Sequence, residues 1–169
     1  MQNFKPLPDQ KAILSVVFYD PETGFFVRTS SKNCPWTVGK RAGHVTPKGY
    51  RLIFIAGVYY MEHRLAWILE HGAIPCGLTI DHINGDKADN RLINLRLATD
   101  CQNSYYRPRK SSNRSGCKGV YMRENGKYRA AITVEKQKIN LGTFETKEEA
   151  YEVYCEAAVR LHGDFAQLA

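Results

Sequence analysis

An adjacent acid and base, Asp81 and His82, open a polar stretch of the chain that is rich in asparagine and aspartate. Asn94 lies near the end of this stretch, and Asn103 follows nine positions later. Hydrolysis of a phosphodiester bond needs a base that deprotonates water and a Lewis acid that neutralises charge on the phosphate. A neutral imidazole suits the first task, and oxygen ligands from Asp and Asn suit a Mg²⁺-like ion that keeps several waters. These residue types therefore favour metal-assisted phosphodiester hydrolysis.

A calcium-binding loop is a competing interpretation of the same stretch. Ile83 and Gly85 occupy the third and fifth positions of such a loop, and Leu92 stands where it needs a bidentate glutamate. The spacing therefore excludes a calcium loop. A polar hairpin without a chemical role remains the open alternative.

The polar stretch lies between two short apolar segments, 78–80 and 95–97, a pattern typical of a β-hairpin. Adjacent residues of a regular strand point to opposite faces. Asp81 and His82 therefore serve one site only if the backbone is irregular there, or if they approach a phosphate from different sides.

Further elements are expected on both sides of the hairpin. Thr99 is a suitable N-cap for a short helix that would carry Asn103 one turn in. Upstream, apolar residues at helical spacing predict a helix over 62–71, and Gly72 is its stop signal. The remaining predictions for this part of the chain are strands at 12–19 and 24–29 and a β-rich stretch at 50–60.

Length and composition limit the class of protein. The 169 residues are enough for one ordinary domain or two small ones, and 43% of them are hydrophobic. The longest mostly apolar run, 52–61, is about half the ~20 residues that a bilayer span needs, so no membrane segment is expected. The five cysteines are scattered and form no C-x-x-C pair, which favours neither a disulfide framework nor a cysteine zinc site. We expect a protein of the reducing cytoplasm.

Positive charge is concentrated in one part of the chain. The net charge is +7, and residues 105–144 contain ten basic and two acidic side chains. Such a segment favours nucleic acid or an anionic membrane surface over a small neutral ligand, while a merely solvated basic face is the other interpretation. Within it, 107–116 is basic, rich in serine and nearly free of apolar residues, which predicts a linker between two units.

The chain after this linker has a clear strand and helix pattern. Apolar and polar residues alternate in 118–123, 128–134 and 138–141, which predicts three strands with one apolar and one basic face. Thr146 and Glu149 form a capping-box pattern, and an apolar helical stripe follows them. We expect a three-stranded antiparallel sheet packed on one helix. The free basic face of this sheet can enter the roughly 12 Å wide major groove of DNA.

The polar residues across about 50–105 resemble the HNH endonuclease motif of the phage and intron homing type. The resemblance is carried by Asp81-His82, Gly85-Asp86, Asp89-Asn90, Asn94-Leu95-Arg96, Thr99 and Asn103, with His63-Arg64-Leu65 upstream. It implies a ββα-metal arrangement at about 78–106.

This resemblance also implies roles for individual residues. His82 would be the general base, while Asp81 and Asn103 would bind one divalent metal ion. Asn94 would tie the loop together and orient His82 through a hydrogen bond. Because an asparagine stands where many relatives have the final histidine, the site favours Mg²⁺ or Mn²⁺ over Zn²⁺. Five further polar residues would have supporting roles: Asp86, Asp89 and Asn90 shape the turn, and Arg96 or Lys87 neutralises phosphate charge.

Residues from about 115 to 167 look like the DNA-binding domain of plant ethylene-response-factor (Apetala-type) regulators, which also occurs fused to HNH nucleases of phages and mobile elements. The resemblance is carried by Gly119-Val120-Tyr121, Tyr128-Arg129-Ala130-Ala131-Ile132, Leu141-Gly142-Thr143-Phe144, Ala150, Tyr154, Ala157-Ala158 and Gly163. Several contact positions differ from the plant domain, so the DNA role carries over better than the target sequence. The expected DNA contacts, to phosphate more than to base edges, are Lys118, Tyr121, Arg123, Arg129, Lys138 and Asn140.

Together these patterns predict an α+β protein with an HNH nuclease domain over 1–106, a basic linker over 107–116 and an Apetala-type DNA-binding domain over 117–169. It would hydrolyse phosphodiester bonds in double-stranded DNA with one divalent metal ion, Mg²⁺ before Mn²⁺, and without a membrane partner or a small-molecule cofactor. The expected location is the host cytoplasm of a phage or mobile element. The alternative is a non-catalytic, sequence-specific DNA-binding or regulatory protein on the same scaffold. The target sequence, the number of strands cut and the oligomeric state stay open.

Overall fold

The chain forms two compact units, Met1–Leu97 and Ala98–Ala169. The computed structural model describes residues 7–31, 34–105, 113–166 and 168. Most of the predicted linker, 107–112, lies outside these described residues, so the predicted domain layout stays a prediction. Residues 98–105, which the sequence assigned to the nuclease domain, lie in the second unit.

The first unit is a mixed α/β arrangement built on small sheets. Its elements are α1 (Gln10–Leu14), β1 (Val17–Asp20), β2 (Phe25–Arg28), β3 (His44–Val45), β4 (Arg51–Ile55), β5 (Val58–Met61), α2 (Glu62–His71), β6 (Leu78–His82) and the start of β7 (Leu95–Thr99), with 3₁₀ turns at Pro35–Thr37 and Leu92–Asn94. β1 pairs with β2, and β3, β4 and β5 form an antiparallel sheet in that order. β6 and β7 form the third sheet, which is the predicted hairpin.

Helix α2 supplies one wall of the first core because its apolar residues recur at helical spacing. Leu65 and Ala66 are fully buried, and they pack among apolar residues of α1 and the surrounding strands. The helix predicted over 62–71 is confirmed, and the positive φ of Gly72 (79°) ends it. The other large core residues are Ile13, Val17, Tyr19, Phe26, Ile53 and Ile55.

The strand predicted over 12–19 is wrong in its first half. Residues Gln10–Leu14 form α1, whose start is capped by Asp9, the side chain of which accepts a backbone hydrogen bond at 2.6 Å. The cap stabilises a helical turn that the alternating apolar pattern did not reveal. This turn buries Ile13 completely, and β1 begins only after it.

The second unit contains the predicted three-stranded sheet on one helix. Its elements are α3 (Asp100–Tyr105), β8 (Val120–Met122), β9 (Tyr128–Val134), β10 (Gln137–Phe144) and α4 (Lys147–His162). The strands are antiparallel in the order β10, β9, β8, and α4 packs on one face. Thr146 and Glu149 form the predicted capping box at the start of α4. This arrangement confirms the α+β class.

Packing in the second unit is closest where β8 begins. Gly119 has a φ of 74°, and a Cβ atom there would lie 2.0 Å from the Tyr154 ring, so only glycine fits. The alternating patterns of 118–123 and 138–141 assign Met122 and Ile139 to the apolar face, but these residues are 51% and 40% exposed. Both lie on edge strands of the sheet, where the helix gives less cover than it gives to the central strand β9.

The helices within the described ranges are all too short or too polar to cross a bilayer.

Candidate active site

Strand β6 ends in the two residues that the sequence singled out. Asp81 and His82 are both buried, with 7% and 4% of their surfaces exposed. Both residues lie within the strand, in which successive side chains point to opposite faces. Each therefore has a separate set of neighbours.

Asp81 is held by an arginine from the partner strand β7. The Nε and Nη2 atoms of Arg96 lie 2.9 and 2.8 Å from Oδ2 of Asp81, and both side chains are largely buried. Two donor nitrogens of one guanidinium therefore lie on a single carboxylate oxygen, and this charge-assisted contact restrains the carboxylate. Arg96 was predicted to neutralise phosphate charge, and here its guanidinium orients the candidate metal ligand.

His82 is hydrogen-bonded to Asn90, with 3.1 Å between Nε2 and Oδ1. Its ring packs edge-on against His63, with ring centroids 5.0 Å apart, and lies 6.3 Å from the Tyr50 ring. Burial lowers the pKa of the His82 imidazole below its ordinary value, while the hydrogen bond to Asn90 and the charge of Asp81 oppose this shift. The ring is therefore neutral at neutral pH, as a general base must be.

The hydrogen bond predicted between Asn94 and His82 is not made. Oδ1 of Asn94 accepts from the backbone N of Asn84 at 3.0 Å, and Nδ2 donates to the carbonyl of Asp89 at 2.8 Å. Asn94 therefore ties the loop together, as predicted, but it does so by bridging the two sides of the hairpin. The motif order could not tell which asparagine of the loop reaches the histidine.

Two acidic residues shape this loop as expected. Asp86 accepts a hydrogen bond from the backbone of Ala88 at 2.9 Å. Asp89 forms an ion pair of 2.7 Å with Arg91 and accepts from the side chain of Asn84 at 2.8 Å. These contacts lower the pKa of the Asp89 carboxyl to about 2, and the hydrogen bond that it accepts from the Arg91 side chain has the largest effect. Both residues act on the turn.

Behind Asn90 lies a buried ion pair that the sequence did not reveal. Nδ2 of Asn90 donates to Oε2 of Glu62 at 3.0 Å. Nε of Arg51 lies 3.1 and 3.0 Å from the two Glu62 oxygens, and Nη2 donates to the carbonyl of Ala42 at 2.9 Å. Glu62 is fully buried. An acidic residue in the first turn of a helix normally indicates only a favourable helix dipole, so no local pattern pointed to this contact.

The backbone of Asn90 is fixed by the first hairpin. The hydroxyl of Tyr19 donates to the Asn90 carbonyl at 2.8 Å. Gly24, with a φ of 70°, approaches so closely that a Cβ atom there would lie 2.3 Å from the backbone N of Arg91. Strands β1 and β2 therefore hold in place the residue that contacts His82.

Asn103 lies on α3, in the second unit, and its side chain is exposed. The predicted N-cap of this helix is confirmed, since Oγ1 of Thr99 accepts from the backbone N–H of Gln102 at 3.2 Å. In return, the backbone N–H of Thr99 donates to Oε1 of Gln102 at 2.8 Å. The last residue of the helix, Tyr105, stacks on His162 with ring centroids 3.8 Å apart. The helix is thus anchored to the end of α4.

The predicted DNA contacts of the second unit are only partly brought together. Tyr121 is 41% exposed, and the charged groups of Arg129 and Lys138 lie 5.7 and 4.4 Å from its ring centroid. Asn140 is exposed on β10, and Arg123 is exposed directly after the end of β8. Lys118 is different, because its Nζ donates to the carbonyl of Tyr105 at 2.6 Å and burial lowers its pKa.

The donor set available for a metal is sparse and rich in oxygen. Among the residues that the structure describes, no group of three or more His, Cys, Asp and Glu side chains could hold an ion. One carboxylate and one amide, as predicted for Asp81 and Asn103, suit Mg²⁺, which keeps several waters and needs few protein ligands. Both contacts from Arg96 fall on Oδ2 of Asp81. This geometry fits a carboxylate that offers its other oxygen to a cation.

Residues 60–105 match the family model described as HNH endonuclease. Protein 3.8 of Escherichia phage T7 is 35% identical over 107 residues, which cover 63% of this chain and 88% of that protein. An HNH endonuclease of Acanthamoeba polyphaga mimivirus, described as uncharacterized, is 30% identical over 129 residues, covering 76% of this chain and 67% of that protein.

Two further similarities concern other parts of the chain or its fold. An ethylene-responsive transcription factor-like protein of Arabidopsis thaliana is 46% identical over 55 residues, which cover 31% of this chain and 24% of that protein. A solved structure of the HNH homing endonuclease I-HmuI, concerned with DNA binding and cleavage, aligns with a TM-score of 0.44 at 22% identity over 92% of this chain and 90% of that one.

Proposed function

This chain belongs to the HNH endonuclease family, and we propose that it is a metal-dependent endonuclease that hydrolyses phosphodiester bonds in double-stranded DNA. The observation that carries the proposal is a buried, neutral His82 whose Nε2 is held by Asn90, next to an Asp81 that Arg96 orients. A hairpin with only a structural role has no need of a buried imidazole beside a buried carboxylate, because both groups lose hydration on burial.

In the proposed reaction His82 accepts a proton from the water that attacks phosphorus. General base catalysis of this kind contributes about 10²- to 10⁴-fold to a rate. Burial keeps the imidazole unprotonated and able to accept that proton. By the family resemblance, the cleaved strand would carry a 3′ hydroxyl and a 5′ phosphate.

Asp81 and Asn103 are the proposed ligands of one Mg²⁺ or Mn²⁺ ion. The two residues belong to different units of the chain, so this assignment is based on the family resemblance. When bound, the ion would supply charge neutralisation at the phosphate and the departing oxygen. Arg96 orients the Asp81 carboxylate through its two contacts on Oδ2. Arginine is always charged in proteins, so this support persists at any working pH.

The second unit is proposed to bind duplex DNA with the outer face of its sheet, in the manner of the Apetala-type domain. The cluster of Tyr121, Arg129 and Lys138 supports this proposal, since it joins two positive charges and an exposed aromatic ring. Lys118 is the weakest of the proposed contacts, because its ammonium already binds the carbonyl of Tyr105. Two weak attachments to one duplex would raise the local concentration of the nuclease at its site.

A plasmid cleavage assay tests the proposed activity. Wild-type protein with Mg²⁺ should convert supercoiled plasmid to nicked or linear DNA, and a chelator should stop the reaction. His82→Ala should lower the rate by about 10²-fold or more, because the base is lost. His71→Ala is the matched control, since it removes an exposed imidazole at the end of α2, and it should cleave at the wild-type rate.

The same assay separates the alternative function. If wild type and His82→Ala both retard plasmid on a gel and neither cuts it with Mg²⁺ or Mn²⁺, the chain is a non-catalytic DNA-binding protein. Cleavage by His82→Ala at the wild-type rate would remove His82 from the reaction.

A further inference from the structure

Four side chains form a continuous buried network within the first unit: Arg51, Glu62, Asn90 and His82. We propose that Glu62, fixed by Arg51, acts through Asn90 to set the tautomer of His82, so that Nε2 carries the proton and Nδ1 is the atom that accepts a proton from water. Glu62, Arg51 and Asn90 are thus positioning residues. This inference rests on the proposed function for its catalytic meaning, but the tautomer itself is a property of the protein alone.

The direction of the hydrogen bonds follows from donor and acceptor chemistry. An ionised carboxylate only accepts, so the group of Asn90 that faces Glu62 at 3.0 Å must be the Nδ2 amide. The Oδ1 atom of the same amide then faces His82 at 3.1 Å, and an amide oxygen also only accepts. Nε2 of His82 must therefore be the protonated nitrogen, and a neutral ring leaves Nδ1 as the base.

The whole sequence of hydrogen bonds depends on Glu62 being ionised. Burial raises the pKa of the Glu62 carboxyl, while the charge and hydrogen bonds of Arg51 and the hydrogen bond from Asn90 lower it. The guanidinium lies 3.0 Å from the carboxylate, is itself fixed by the carbonyl of Ala42 and stays charged at any pH that a protein survives. The net effect is a pKa above the ordinary value of a glutamate, with burial as the largest cause. Ionisation is instead indicated by the geometry, because both oxygens accept from Arg51 and Oε2 also accepts from Asn90, so that every neighbour in the network is a donor.

The backbone around the network is fixed on both sides. On one side, a Cβ atom at Gly43 would lie 2.5 Å from Oε1 of Glu62, so the backbone closes over the carboxylate. On the other side, Tyr19 and Gly24 fix the backbone of Asn90. The His63 ring covers His82 at 5.0 Å between centroids. The amide of Asn90 can still rotate about its own bond, and the charge of Glu62 decides which end points to the histidine.

This logic predicts the effect of Glu62→Gln, which keeps the shape and removes the charge. The oxygen of the new glutamine would remain with Arg51, and its NH₂ group would face Asn90. Asn90 would then turn its oxygen towards that NH₂ group and its own NH₂ towards His82, which forces Nε2 to accept and moves the ring proton to Nδ1. Cleavage should fall about 10²-fold or more, because the base is then blocked.

A second substitution should restore the original tautomer. In Glu62→Gln/Asn90→Asp the carboxylate moves one position along the network, where it accepts from the glutamine NH₂ and from Nε2–H of His82. The double variant has the same net charge as the wild type. We expect it to recover at least a tenth of the wild-type cleavage rate, whereas Asn90→Asp alone places two carboxylates side by side and should not.

The direct measurement is ¹⁵N NMR of the histidine side chains in full-length protein without DNA, with the His82 signals assigned by comparison with His82→Ala. The expected result is Nε2–H in wild type and in the double variant, and Nδ1–H in Glu62→Gln. Nδ1–H in wild type, or an unchanged tautomer in a folded Glu62→Gln protein, would overturn the inference. A purely structural role for the network predicts lower stability in every variant and no rescue by the double substitution. If wild type shows Nε2–H but cuts no DNA, the proposed function fails while the network stands.

Discussion

Nε2 of His82 lies 3.1 Å from Oδ1 of Asn90, whereas Asn94, the middle residue of the motif, bonds to Asn84 and Asp89. The two asparagines therefore have different tasks. Asn90 connects the imidazole to the buried ion pair of Arg51 and Glu62, and Asn94 closes the loop. Substitutions at the two positions should consequently have different signatures.

Asn94→Ala should lower the stability of the first unit without changing the His82 tautomer. It removes two hydrogen bonds from a residue that is 6% exposed, and a buried group left without its partner costs about 1–3 kcal/mol. Urea unfolding followed by tryptophan fluorescence measures this loss, because Trp36 and Trp67 both lie in the first unit. A Nδ1–H signal for His82 in this variant would show that Asn94, too, acts on the imidazole.

Gly24→Ala should destabilise the first unit more than Gly39→Ala. Both glycines have positive φ angles, 70° and 80°, so both substitutions carry a backbone strain of about 1–2 kcal/mol. Only at Gly24 does the new methyl group collide with a neighbouring backbone, at 2.3 Å from Arg91 N, while nothing lies within 4 Å at Gly39. Because the collision occurs beside Asn90, cleavage should fall as well. Equal unfolding free energies for the two variants would contradict the close approach of the first hairpin.

The stability of the first unit should fall below about pH 6.5, in part through His63. Burial, followed by the charge of His82, lowers the pKa of the His63 imidazole to about 3. A folded-state pKa below the unfolded value means that the unfolded chain binds the proton first. The neutral His63 imidazole therefore contributes its full stabilisation above about pH 6.5, and this contribution is lost towards pH 3. The free energy of unfolding then falls by up to about 1.4 kcal/mol per pH unit.

His63→Phe tests this dependence, since it keeps a buried ring and removes the titrating group. Urea midpoints between pH 7 and pH 5 should fall less steeply in the variant than in wild type. Residual dependence is expected because burial also lowers the pKa of His82. Identical slopes for the two proteins would mean that His63 is not shielded from solvent as the structure indicates.

Arg129→Ala and Lys138→Ala should each weaken DNA binding and reduce its salt dependence. Each phosphate contact that is lost reduces the slope of log K against log salt by about 0.9. Lys147→Ala is the matched control, because it removes the same charge from the start of α4, where the lysine pairs with Glu148 at 3.4 Å. Fluorescence anisotropy at several salt concentrations gives the slopes. A slope change for Lys147→Ala equal to those of the sheet variants would argue for binding by net charge alone.

Local structure was largely determined by the sequence. The bounds of α2, the central strand β9 and the caps at Thr99 and Thr146 follow from spacing and from hydroxyl groups that bond within three residues. The order of polar residues was likewise sufficient to place Asp81 and His82 at the end of a hairpin strand. Such features depend on near neighbours, whose separation the chain itself sets.

Tertiary structure decided which groups meet. Glu62 lies 11 residues from Arg51 and 28 from Asn90, and no local pattern brings a helix, a strand and a loop to one buried point. The same holds for the choice of Asn90 over Asn94 as the partner of His82, which the packing of the first hairpin against residues 90–91 determines. The sequence by itself supplied the candidate base His82, its acidic neighbour Asp81 and the hairpin that carries them. Only packing between distant elements, by burying a charged pair where water cannot replace its hydrogen bonds, selected the side chain that orients the imidazole.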